Sequence, residues 1–165
     1  MDTDAYIDGV RSALRTYGFE VEDAEVAGRT VVAGQRSDFR WRWFASRLHT
    51  SVLVAQLHGP EPLDGFLEGA TRWAIEHRSG GSLGVQSGVA AIAAIAMGSL
   101  GPQARAWAAT PHGRRFAAIA YPVAIGAATG EIVQPRRMII GGIFPPFLHD
   151  LVHEVLEAPL RPAVH

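Results

Sequence analysis

No charged residue occurs between Arg78 and Arg105, and the stretch Gly80–Leu100 reads GGSLGVQSGVAAIAAIAMGSL. An uncharged run of this length has three destinations: a bilayer span, a buried helix or a buried strand. A span needs roughly 20 apolar residues, so the length suffices. The content argues against it. Ala, Gly and Ser dominate, Gln86 sits inside, and large aliphatic side chains are few. As a helix, the run places Val85, Val89, Ile92 and Ala96 at suitable spacing, and alanine is the best helix former. As a strand, it has glycines at both ends and β-branched side chains at Val85, Val89, Ile92 and Ile95. An echo favours the strand. Ala-Ala-Ile-Ala occurs at Ala93–Ala96 and again at Ala117–Ala120, close to Pro122, where a helix interior is disfavoured. Two neighbouring Ala-rich strands would form a shallow sheet surface on which a helix can sit closely.

The rest of the chain reads as ordinary amphipathic elements. Over residues 4–17, Tyr6, Ile7, Val10, Ala13, Leu14 and Tyr17 share a helical face. Asp2, Thr3 and Asp4 can cap its start and Gly18 can end it. Phe19–Val26 and Arg29–Ala33 read as strands, with Gly34–Asp38 turn-like between the second and the next. Phe39–Phe44 alternates Phe39, Trp41 and Trp43 against Arg40 and Arg42, which is the strand period. Leu48–His58 is a further strand, joined to it by the short Ala45-Ser46-Arg47 link, so the pair is expected as a hairpin. Helices are expected over Glu61–Arg78, Pro102–Thr110 and Pro145–Glu157. Phe116–Ala127 and Glu131–Ile140 form a hairpin about Thr129-Gly130.

This order predicts one α+β domain over residues 1–165, with a mainly antiparallel sheet of about five to six strands and the helices packed on one face. The element order loosely resembles that of small secretion-chaperone-like α+β domains, which bind other proteins. The likeness is one of topology and carries no shared motif.

Composition removes several chemistries. The chain has no cysteine, so a disulfide scaffold, a thiolate zinc site and a cysteine nucleophile are excluded. It has no lysine and no asparagine; all fifteen basic residues are arginine. A Schiff-base lysine and a P-loop lysine are therefore excluded too. Net charge is −1, which implies neither a nucleic-acid partner nor an acidic membrane. The first residues lack a basic segment followed by an apolar core, so a cytoplasmic protein without stable membrane insertion is expected.

The charge that is present is polarised. Residues 1–27 carry seven acids against two arginines, whereas Arg29–His58 carries five arginines against one acid. Within the basic segment, Arg40 and Arg42 project from one strand face, and His49 lies on the next strand. Guanidinium forks suit carboxylate or phosphate, so Arg40, Arg42 and His49 form the candidate ligand-binding set. Ion pairing within the chain is the structural alternative for the same arginines. His149 and His153 have the i,i+4 spacing of a zinc helix, but Asp150 stands where such a motif has glutamate and no third ligand is apparent. No metal site is expected. Gly80-Gly81-Ser82-Leu83-Gly84 spells G-x-S-x-G, yet a helix precedes it where a nucleophile elbow needs a strand. His77 is expected as a core histidine on the apolar side of its helix, and Trp73 and Trp107 as core or partner-facing anchors.

No cofactor and no catalytic residue is indicated. The leading expectation is a small soluble binding or adaptor domain acting through a protein partner or self-association. The alternative is a small-molecule protein or enzyme that takes an anionic ligand at Arg40, Arg42 and His49.

Overall fold

A computed structural model describes residues 1–40, 46–59, 61–78, 87–110, 118–136 and 145–161. Its centre is a six-stranded sheet in the order β1-β2-β3-β4-β5-β6, so every strand lies beside its sequence neighbours. The strands are β1 (Glu20–Val26), β2 (Arg29–Arg40), β3 (Ser46–Gln56), β4 (Ser87–Met97), β5 (Ala118–Gly126) and β6 (Glu131–Val133). The helices are α1 (Thr3–Thr16), α2 (Asp64–Glu76), α3 (Pro102–Ala109) and α4 (Pro145–Leu151). Helix α4 continues as one π-helical stretch, Val152–Glu157, and a 3-10 turn, Ala158–Leu160.

The sheet is mixed rather than mainly antiparallel. β1–β2, β2–β3 and β5–β6 are antiparallel, whereas β3–β4 and β4–β5 are parallel. The reason lies in the connections. A strand that returns through a helix comes back pointing the same way, and α2 and α3 each supply such a crossover.

Helices also cover both faces, not one. On the first face, Tyr6, Val10 and Leu14 of α1 and Leu148, Leu151, Val155 and Leu156 from the C-terminal helical segment pack with Val32, Leu48, Val52, Ile92 and Ile125. On the other, Phe66, Leu67, Ala70 and Trp73 of α2 and Trp107 of α3 pack with Val31, Ala33, Leu53 and Ile95. Strand β4 therefore has no solvent side, and every residue from Val89 to Ala96 is 0% exposed. That is why its sequence reads as an unbroken apolar run instead of an alternation. The strand reading of the central stretch holds over Ser87–Met97; residues 80–86, including the G-x-S-x-G glycines, lie outside the described residues. Small side chains let α2 sit close, with Ala74 packing on Val89, Ala91 and Ala118.

The turns follow from backbone chemistry. Ala27 and Gly28 join β1 to β2 with φ of 51° and 74°, the positive values that a tight hairpin of right-handed twist requires. Gly34 is a position of close approach, not a turn. A Cβ there would stand 3.0 Å from a Leu14 methyl, so the missing side chain lets α1 settle on β2, which runs unbroken through the expected turn at 34–38. β5 tolerates Pro122 because its ladder to β6 begins only at Ala124. Tyr6, fully buried, donates its hydroxyl to the Leu156 carbonyl at 2.9 Å and ties α1 to the π-helical stretch. Burial raises the Tyr6 pKa above the ordinary tyrosine value. Among the described residues no helix is long and apolar enough to cross a membrane.

Candidate functional site

The β2–β3 register decides which polar side chains can meet. Ser37 pairs with His49, Phe39 with Arg47, and Arg40 with Ser46. Paired residues share a face and neighbours along a strand alternate. His49 therefore projects from the α2 face, together with Ser37, Phe39 and Arg47. Arg40 projects from the opposite face, where its guanidinium lies 4.8 Å from the centre of the Phe147 ring. Arg42 lies outside the described residues. The structure thus does not bring Arg40 and His49 into one cluster.

Arg36 also belongs to the Phe147 face. Its guanidinium lies 4.7 Å from the centre of the Phe19 ring, donates to the Asp38 carboxylate at 2.9 Å and to the Tyr17 carbonyl at 2.6 Å. These contacts fasten the end of α1 to β2. Much of the basic character that the sequence shows in this segment is therefore engaged in packing. A further pair lies within the acidic N-terminal segment itself, with Arg11 donating to Asp23 at 2.5 Å.

A cavity of about 330 Å³ opens where β1 begins, lined by Gly18, Glu20, Gln35, Arg36, Ser37, His49, Thr50, Ser51 and Arg78. Glu20, Gln35 and Ser51 form one row across three strands, and Ser37 and His49 form the next. Arg78 arrives from the chain just beyond α2, which ends at Glu76. It donates to the Ile75 carbonyl at 2.7 Å, an anchor for the side chain beside the cavity. Ser51 is buried, His49 and Gln35 are half-buried, and Glu20 is exposed at the rim.

His49 is the distinctive group. Among the described residues its imidazole makes no hydrogen bond. Burial above all, and then the charges of Arg47 and Arg78, hold its pKa below the ordinary histidine value. The ring is thus biased toward its neutral form by surroundings that would welcome a negative charge. Thr50 points the other way, toward the first face, where its hydroxyl is buried with no hydrogen-bond partner among the described residues.

The other sequence candidates resolve differently. His149 and His153 do lie together, with ring centroids 4.5 Å apart, and His153 is hydrogen-bonded to the Glu157 carboxylate. Among the described residues no group of three or more potential ligands gathers for a metal. His77 is exposed rather than in the core; it stacks on Trp73 at 4.1 Å, with Nδ1 2.9 Å from the Trp73 carbonyl. Trp73 and Trp107 are both buried, and both belong to the core on the α2 and α3 face. Glu20, Gln35, Ser37, Ser51 and Arg78 escaped sequence reasoning. Their only signal is the strand register that aligns Glu20, Gln35 and Ser51, together with the helix length that delivers Arg78.

Comparison with protein-family models, with curated protein sequences and with solved structures finds no match to this chain.

Proposed function

We propose that the protein is a small ligand-binding domain that takes an anionic small molecule in the cavity at the start of β1. The observation that carries this reading is His49, whose imidazole lines the cavity, makes no hydrogen bond among the described residues and feels the charges of Arg47 and Arg78. The cavity volume falls at the lower end of the range of about 300–1,000 Å³ typical of small-molecule sites. The neutral groups Gln35, Ser37 and Ser51 can orient a ligand through hydrogen bonds.

The position also explains why side-chain cations are needed. Sites on parallel strands usually lie at the carboxyl ends of the strands, where helix N-termini favour anions. This cavity lies at the amino end of β3, beside the C-terminus of α2, whose dipole opposes an anion. Arginine and histidine must supply the attraction.

An association surface has less in its favour. Among the described residues the exposed large apolar side chains are Met1, Tyr17 and Phe39, and single exposed apolar residues need no partner.

The reading is tested by nuclear magnetic resonance titration at low salt with inorganic phosphate and with pentanoate. The His49 ring resonances should shift on addition of at least one probe. His49→Gln and Arg47→Gln should each weaken that binding on the order of tenfold. No shift with either probe at tens of millimolar would dispose of the proposal.

A further inference from the structure

The geometry points to a bipolar ligand, with an anionic group at His49 and a cationic group at Glu20. This inference rests on the anion reading above and adds the second end of the molecule.

Glu20 stands on the same sheet face as His49, because Glu20 pairs with Gln35 and Gln35 pairs with Ser51, two residues along β3 from His49. Two strands across and two residues along place their Cα atoms about 12 Å apart. Strand side chains stand roughly perpendicular to the sheet, so a hydrogen bond of about 2.9 Å at each end leaves roughly 6 Å for a ligand. The row between them is neutral. Gln35, Ser37 and Ser51 carry no charge that would neutralise either end.

Glu20 is also uncommitted. Elsewhere in the molecule acids are taken up by arginines, as in Arg11–Asp23, Arg29–Glu61, Arg36–Asp38 and Arg105–Glu131. Among the described residues the Glu20 carboxylate makes no ion pair and no hydrogen bond, although Arg36 lines the same cavity. The Arg36 guanidinium is held on the other face by Asp38, the Tyr17 carbonyl and the Phe19 ring. Among the described residues, the carboxylate at one end and the imidazole at the other are thus both without a partner. A molecule carrying a carboxylate or phosphate at one end and an ammonium several bonds away meets both.

Two probes of equal chain length isolate the second end. Pentanoate and 5-aminopentanoate share the carboxylate and differ in the terminal ammonium. Nuclear magnetic resonance titration of the full chain should show the aminated probe binding about fivefold or more tightly than pentanoate. Glu20→Gln should remove that preference by weakening 5-aminopentanoate alone, with pentanoate unchanged; unchanged pentanoate binding also shows that the variant is folded. Equal affinities in the wild type overturn the bipolar assignment while the anion reading stands. So does a preference that survives Glu20→Gln, or a variant that loses both probes. If pentanoate and phosphate both fail to bind the wild type, the anion reading falls and takes this one with it.

Discussion

His49 and Arg40 lie on opposite faces of the sheet, although only eight residues separate them in sequence. The pairing of His49 with Ser37 sends the imidazole toward α2, and the pairing of Arg40 with Ser46 sends the guanidinium toward Phe147. One side chain borders a cavity; the other packs against an aromatic ring.

The two should separate cleanly on substitution. Arg40→Ala is expected to leave phosphate or pentanoate binding within about twofold of wild type and to cost about 0.5–1 kcal/mol of stability through the lost cation–π contact. His49→Gln should do the reverse. Titration and urea denaturation of both variants check this, and a loss of anion affinity in Arg40→Ala would contradict the assignment.

The depressed His49 pKa fixes two signs. An anion favours the imidazolium, so affinity should rise as pH falls toward and through the His49 pKa of the free protein. Stability runs the other way. A histidine whose pKa is lower folded than unfolded contributes stability that is full above the unfolded value near 6.5 and is lost as pH falls through the folded one. Melting temperatures between pH 5 and 8 should therefore decline on the acid side, less in His49→Gln and less in the presence of phosphate. An acid-side decline identical in wild type and variant would remove His49 from the explanation.

Gly34 and Leu14 form a coupled pair. A Cβ at Gly34 would stand 3.0 and 3.1 Å from the two Leu14 methyls, so Gly34→Ala requires the Leu14 side chain to give way by a few tenths of an ångström. The expected cost is about 1–3 kcal/mol. In a Leu14→Ala background the added methyl has room, and the penalty should shrink to near zero. A double-mutant cycle measured by chemical denaturation reads this coupling directly.

Thr50 offers a stabilising change. Its hydroxyl is buried on the first face with no hydrogen-bond partner among the described residues. Thr50→Val keeps the shape and removes an unpaired polar group, so it should raise stability by up to about 1 kcal/mol. Destabilisation in the same denaturation experiment would mean that the hydroxyl is satisfied in solution.

Much of the fold was readable because local chemistry and tertiary packing agree. Helix α1 matches its periodicity and capping acid, with the Asp2 side chain accepting from the Ala5 amide at 2.8 Å. The central stretch is a strand where the Ala-Ala-Ile-Ala echo suggested one. β2 does pair antiparallel with β3, but the expected link is displaced: Ser46 and Arg47 belong to β3, opposite Arg40 and Phe39, and residues 41–45 lie outside the described residues. The pairing of β5 with β6 follows the Thr129-Gly130 turn. What was misjudged is non-local. Val89–Ala96 is apolar at consecutive positions, a sign of burial on both faces, and that sign implies helices on both sides and parallel crossovers. Gly34 resembles a turn in sequence, and only the approach of Leu14 shows why glycine sits in mid-strand. The site was legible in kind but not in membership. His49 was found from residue type. Alternation within one strand allows Arg40 to join it; the register between β2 and β3, which residue type does not encode, puts them on opposite faces. Glu20 and Arg78 come from segments far from His49 in sequence, and only folding brings them to one cavity.

The parallel placement of β4 also sets an order of assembly. β1, β2 and β3 meet through short-range hairpins within residues 20–56, so they can pair early at small loop-closure cost. β4 can join only after the chain has travelled through α2, and it must then enter between β3 and β5 with helices closing on either side. Its amides should accordingly gain protection from solvent exchange later than those of β2, and the wall of the cavity carrying Arg78 becomes complete only at that late step.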